Sequence, residues 1–296
     1  MRVFVTGASG FIGSALVGEL LDAGHEVIGL ARSDQSAAAL TAAGVQVHRG
    51  TIDDLDSLRA GAVAADGVIH LAFDNSFSDY AAATDADLVA VEAMGAALEG
   101  TDKPFVVTSG TLALAFTPGV ATEDDASDPA LPRVAAEHAT IGLAQRGVRS
   151  SIVRLAPCVH DESRAGLATS LIAIAREKGV SAYVGDGANR WPGVHRLDAA
   201  RLFRLALEGA PAGSRLHAVG DEGVPLRDIA GVIGRGLDVP IVSISPEDAA
   251  AHFGFFALTV PLDNPTSNAL TQQLLGWHPE HPGLLDDLEH PGHYKE

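Results

Sequence analysis

The run VTGASGFIGSAL, residues 5–16, constrains this chain more than any other stretch. A short β-rich run, RVFVTG, leads into it and a helical run comes after, so Gly7, Gly10 and Gly13 fall on the turn between them. In a dinucleotide fingerprint the first glycine permits a tight turn, the second lets backbone approach a pyrophosphate, and the third lets helix and strand pack closely. The turn and the opening helix, with Ser9, Phe11 and Ile12 beside the glycines, present free N–H groups and a partial positive charge to phosphates. Dinucleotide binding is the expectation.

Beyond this turn the chain alternates between two kinds of segment. EVIGLAR, VQVHRG, GVIHLAF, PFVVTSG and SSIVRLAP read as strands, with helical runs between them. One helix falls within 79–100. Another spans 128–147, with Pro132 suited to its first position and Gly147 to its stop. This order predicts an α/β fold: right-handed βαβ units in a Rossmann-type, doubly wound parallel sheet. After Cys158 the rhythm breaks into helices, short strands and a tail rich in Pro, His and Gly. The expectation is a dinucleotide-binding domain over 1–157 and a smaller, mainly substrate-binding α/β region over 158–296. The boundary between them is soft, with recrossing allowed.

Composition narrows the partners. The net charge of −18 argues against nucleic acid and anionic membranes. No apolar run approaches the ~20 residues of a membrane helix. One cysteine forms no intrachain disulfide and suits a reducing cytoplasm. The first strand starts at once, so no leader is expected. The histidines of WHPEHPGLLDDLEHPGH are interrupted by Pro and Gly rather than spaced as ligands on one element, and no metal is expected.

With its spacing, TGASGFIG resembles the extended short-chain dehydrogenase/reductase family, in the NAD(P)-dependent epimerase/dehydratase branch. VIHLAF, VVTSGT, VRLAPCVHD, WPGVHRLDAARLFRLALEG and LLGWHPEHP resemble further segments of that branch in order, so the likeness spans nearly the whole chain. It implies cofactor contacts at Leu71, Ala72 and Phe73 after the fourth strand, and at Pro157 and Val159 after the sixth. His70 reads as a buried, hydrogen-bonded residue. At the adenosine ribose an acidic residue suits NAD and an arginine NADP. Arg32 and Ser33 stand there, with Asp34 just beyond, so NADP is expected and NAD is the alternative. Thr51 and Ile52 occupy the adenine edge, where the family commonly has an Asp and an apolar residue.

The same resemblance implies a Ser or Thr after the fifth strand and a Tyr-x-x-x-Lys pair on the next helix. Ser109 fits the first role. No tyrosine and lysine of this chain have the second spacing. One alignment puts Arg133 at the Lys place, and sliding one turn puts Arg133 and Glu137 at the Tyr and Lys places; the distance to SSIVRL favours the former. Arg133 is a permanent donor that could anchor a ribose hydroxyl, polarise a carbonyl or bind an anion. Glu137 reads as a base or, more simply, as half of a salt bridge. His160 and Tyr80 are the candidate proton donors, and Arg190, Trp191 and His195 the candidate substrate contacts. Three functions fit. The expected one is an atypical NADP-dependent oxidoreductase acting on a small carbonyl or alcohol. The others are a dinucleotide-binding sensor without turnover, and an epimerase or dehydratase using bound cofactor. The helices around 79–100 and 133–147 are the family's usual homodimer faces.

Overall fold

In a computed structural model, residues 1–74 and 79–295 are described. Six strands alternate with five helices in the first half: β1 (Arg2–Thr6), α1 (Phe11–Asp22), β2 (Glu26–Ala31), α2 (Asp34–Ala42), β3 (Gln46–Arg49), α3 (Leu55–Ala64), β4 (Gly67–His70), α4 (Tyr80–Leu98), β5 (Pro104–Gly110), α5 (Val134–Gly142) and β6 (Arg149–Leu155). The second half continues with β7 (Cys158–Asp161), β8 (Arg164–Ala165), α6 (Leu167–Lys178), β9 (Ser181–Val184), β10 (Arg190–His195), α7 (Arg196–Gly209), β11 (Ser214–Ala218), β12 (Asp221–Pro225) and α8 (Leu226–Leu237). It closes with β13 (Ile241–Ile244), α9 (Ala249–Phe253), α10 (Ala269–Leu275) and α11 (Leu284–Leu288).

The main sheet is parallel throughout and runs β3-β2-β1-β4-β5-β6-β11. Its central strands are apolar on both sides because helices cover both faces. On one face Leu16, Leu20, Phe203, Leu207 and Trp277 form a core with Val5 and Val106. On the other, Leu58, Met94 and Leu98 pack on Phe4, Phe105 and Ile152. Strand order reverses between β1 and β4, which opens a crevice at the carboxyl ends of the strands. β11 lies well beyond residue 158 and still pairs with β6, and α7 packs against α1. The remaining strands form a sheet ordered β12-β10-β7-β8 and a β13-β9 pair over a second core that holds Trp191, Ile229, Ile233 and Leu284.

Helix starts explain where polar backbone remains available. Ser33, Asp54 and Asp79 cap α2, α3 and α4 with their side chains. The cap of α1 is Gly10, which has none, so the first amides of α1 keep their capacity for a ligand. α5 starts at Val134 with Arg133 as its cap, two residues later than Pro132 suggested. The preceding residues are committed to a turn in which the Val134 N–H donates to Leu131 O.

Two glycines of the turn are sterically required. Gly7 has φ +70°, and a Cβ there would lie 2.8 Å from Ala72 N at the end of β4. A Cβ on Gly13 would lie 2.0 Å from Gly7 O, a backbone atom that cannot give way. Gly13→Ala is therefore expected to destabilise the fold by about 3 kcal/mol, read as a lower midpoint in urea denaturation. An unchanged midpoint would show that the turn packs differently.

Candidate active site

The crevice is built from the ends of β1, β2, β4, β5 and the start of α5. At β4 the Leu71 and Ala72 amides donate to Thr6 O and Thr6 Oγ1, each at 3.2 Å, which seats this segment against the glycine turn. His70 is buried between Thr6 Oγ1, 2.7 Å from Nδ1, and Asp87 Oδ1, 3.1 Å from Nε2. Its ring belongs to the scaffold. Beyond β6, Pro157 O accepts from the Leu167 amide and Val159 is buried in β7.

At the far end of the crevice, Arg32 is exposed, and among the described residues it has no hydrogen bond or ion pair. Ser33 spends its hydroxyl on capping α2. Asp34 is ion-paired with Arg49, whose Nη1 also donates to Ser33 O at 2.7 Å. Thr51 is exposed, and Ile52 packs against the sheet's core.

Ser109, at the end of β5, donates its hydroxyl hydrogen to Glu137 Oε2 at 2.7 Å. Glu137 lies on α5 and meets Arg154 of β6: Nη2 donates to Oε1 at 2.6 Å and Nε to Oε2 at 3.3 Å. Ser127 Oγ donates to Oε1 at 2.9 Å. Arg154 also donates to Asp125 O at 3.0 Å, and its Nη1 lies 3.2 Å from His217 Nε2. Both members of the Glu137–Arg154 pair have fully buried side chains. Burial by itself would raise the Glu137 carboxyl; the Arg154 guanidinium and the hydroxyls of Ser109 and Ser127 outweigh it and hold the group below the ordinary carboxylate range. Burial pushes His217 down to about 4, so it stays neutral. Glu137 is thus an ionised acceptor with every oxygen engaged, the salt-bridge reading of this residue.

Arg133 sits one turn before Glu137, with its guanidinium carbon 3.9 Å from the centre of the Phe73 ring. Tyr80, at the start of α4, meets Phe73 edge-on at 6.1 Å. The Arg133 Nε is buried without a partner, and among the described residues Arg133 makes no hydrogen bond or ion pair. Of Arg133 and Glu137, it is Glu137 that Ser109 bonds.

Four expected site residues have other duties. His160 is fully buried, with Nδ1 2.6 Å from Asp287 Oδ2, so it has no surface from which to deliver a proton. Trp191 is fully buried in the second core and cannot touch a substrate there. Arg190 grips Asp263 through Nε at 3.0 Å and Nη2 at 2.7 Å. His195 accepts from the Leu197 amide at the start of α7 and stacks on His281 at 4.6 Å. His195, Asp198 and His281 do bring ligand-type atoms within 4.8 Å of one another. The two rings are nearly parallel, 8° apart, so their in-plane lone pairs cannot converge on one ion. Asp198 already accepts from the Glu280 and His281 amides.

Arg154 and Ser127 escaped the sequence reading. A signal for Arg154 was present: a charge inside the apolar strand SSIVRL must find a buried partner. Glu137→Gln is expected to lose about 3 kcal/mol at pH 7, because Arg154 is left as an uncompensated buried charge. The folded carboxyl titrates below its unfolded value, so its contribution is complete at neutral pH and is lost as pH falls through the depressed folded value. The stability gap between wild type and variant should therefore narrow below about pH 4. Urea denaturation between pH 7 and 3 checks this, and a gap that widened in acid would contradict it.

Comparisons with known proteins fit this geometry. An uncharacterized protein of Schizosaccharomyces pombe is 50% identical over 289 residues, covering 97% of this chain and 98% of that one. An uncharacterized protein of Saccharomyces cerevisiae is 44% identical over 292 residues, covering 97% and 98%. Among solved structures, UDP-glucuronic acid 4-epimerase from Bacillus cereus, in complex with UDP-glucuronic acid and NAD, shares the fold. It superposes with TM-score 0.76 at 20% identity, covering 99% of this chain and 98% of that one. No helix among the described residues is long and apolar enough to cross a membrane. A family profile matches residues 3–218, and with the glycine turn, the strand order and these relatives it establishes that the chain belongs to the NAD dependent epimerase/dehydratase family.

Proposed function

We propose that this protein is an NADP-dependent oxidoreductase of the cytoplasm that acts on a small carbonyl or alcohol substrate. The cofactor cradle fits a dinucleotide: the α1 cap carries no side chain, and a Cβ at Gly7 or Gly13 would fill the turn. The observation that carries the NADP preference is the pairing at the end of β2. Asp34, the acidic group that would otherwise suit a ribose hydroxyl, is ion-paired with Arg49 at the surface, while Arg32 stays unpaired among the described residues. A 2′-phosphate would meet a cationic edge there.

Bound NADP(H) would supply or accept a hydride. Ser109 would face the reacting oxygen and Arg133 would anchor the substrate beside it, with Phe73 holding the Arg133 guanidinium flat. The Ser109–Glu137–Arg154 cluster offers no group poised to titrate near neutral pH, since Glu137 is held ionised and Arg154 is permanently charged. An alcohol releases a proton from oxygen along with the hydride from carbon, so Tyr80 or water would carry that proton, and an epimerase or dehydratase with bound cofactor is the alternative. A sensor without turnover is the rival, favoured by the absence of a Tyr-x-x-x-Lys pair. The partially exposed faces of α4 and α5 would serve a homodimer, and the acidic surface a small-molecule rather than a nucleic-acid partner.

NADPH should bind at least about tenfold tighter than NADH, with Arg32→Ala removing most of the difference. Gly10→Val should abolish binding of both while circular dichroism stays unchanged. Fluorescence titration reads the affinities, and a screen of small ketones, aldehydes and alcohols against NADPH consumption reads turnover. Equal affinities would remove the NADP assignment. Tight binding with no turnover on any substrate would favour the sensor.

A further inference from the structure

Ser109 and Arg133 offer a ligand opposite hydrogen-bonding characters. A serine hydroxyl has one hydrogen, and that of Ser109 is given to Glu137 at 2.7 Å. An ionised carboxylate cannot donate in return. Glu137 is itself gripped by both Arg154 and Ser127 in a fully buried pair, so releasing the Ser109 hydrogen would break a charge-assisted bond. What Ser109 Oγ has left is acceptor capacity. It suits a ligand hydroxyl and repels a carbonyl oxygen.

Arg133 has the reverse character. It is a permanent cation in a chain with 38 acidic residues, yet no carboxylate among the described residues pairs with it. Its guanidinium lies over Phe73 with Nε buried and unpartnered, an arrangement that leaves donors in a fixed plane. A planar two-oxygen anion satisfies such a fork, which a single neutral oxygen does not. Arg133 and Glu137 are four residues apart at the start of α5. They are therefore neighbours on the helix surface with Cβ atoms about 5–6 Å apart, and Ser109, buried at the end of β5, lies on the Glu137 side.

Building on the oxidoreductase reading, we propose that the substrate is a 2-hydroxy carboxylate, its carboxylate on Arg133 and its hydroxyl donating to Ser109, with Glu137 and Arg154 acting as positioning residues. The site then holds the hydroxy form better than the oxo form, since the oxo group would set two acceptors against each other. The Ser109–Glu137 bond sets this preference.

The probes are lactate (both enantiomers), propionate and pyruvate, titrated against the NADP⁺-saturated full-length protein and followed by ligand-observed NMR. At least one enantiomer of lactate should bind about tenfold tighter than propionate, which lacks only the hydroxyl, and tighter than pyruvate. Ser109→Ala should equalise lactate and propionate while leaving propionate binding intact. Arg133→Gln, at a partly exposed helix cap, should weaken all three acids about tenfold or more without loss of fold. Lactate binding no tighter than propionate, indifference to Arg133→Gln, or no acid binding at all overturns the proposal. NADP⁺ is titrated first in the same samples. If the dinucleotide binds and the acids do not discriminate, the substrate class alone fails; if the dinucleotide does not bind, the oxidoreductase reading fails.

Discussion

A buried ion pair, Glu137 with Arg154, ties the two halves of the site together. Both side chains have lost all contact with water, an expensive state unless every donor and acceptor is satisfied. Here the surroundings supply that satisfaction from several separate places: Ser109 from β5, Ser127 and Asp125 from the loop before α5, the pair itself across α5 and β6, and His217 from β11. The pair therefore acts less as a source of net stability than as a device of register. Slipping β5, α5 or the loop by one residue would leave a charge in the interior without its partner.

That register explains why the returning strand matters. β11 comes from the region expected to serve the substrate, yet it closes the edge of the dinucleotide sheet and places His217 against Arg154. His217 is held neutral by burial and accepts from the guanidinium, while its other nitrogen faces Ser267 O at 2.8 Å. The segment after it is tied in as well: Asn264 bonds reciprocally with Thr111, and the Ala121 amide donates to Pro265 O. The two regions are thus stitched directly behind the Ser109 end of the crevice rather than joined by a free linker. The site's geometry depends on both.

The fold was readable because its signals are local. Gly7, Gly10 and Gly13 stand between an apolar run and a helical one, and the alternation of strands with helices needs only neighbouring residues to be recognised. The site was readable only in part. Ser109 and Arg133 were singled out from the segments they end or begin, but the bond from Ser109 to Glu137 spans 28 residues and its support from Arg154 a further 17. No periodicity announces such a contact. His160 and Trp191 failed for a different reason. Likeness to a family assigns a segment to a neighbourhood but not a side chain to an exposure, and both side chains turn into the second core or its edge. Arg190 lacked the matching clue that Asp263, 73 residues on, would claim both ends of its guanidinium.

Charge distribution gives the crevice its remaining logic. A net charge of −18 surrounds any approaching anion with repulsion, so an anionic ligand is retained only where cations locally dominate. Most arginines of this protein are spoken for by carboxylates, as Arg59, Arg146, Arg190, Arg201 and Arg204 are. Among the arginines with no carboxylate partner among the described residues are Arg32, just beyond β2, and Arg133, at the start of α5. Asp34, the carboxylate nearest Arg32 in sequence, is turned to Arg49. The carboxylate nearest to Arg133 on its own helix face, Glu137, is turned inward to Arg154. In both places a second arginine consumes the local negative charge and so leaves the first one free. Under the proposed reading, one free cation meets the adenosine phosphate and the other the substrate anion, and an acidic protein acquires a binding cleft for two anions without reversing the sign of its surface.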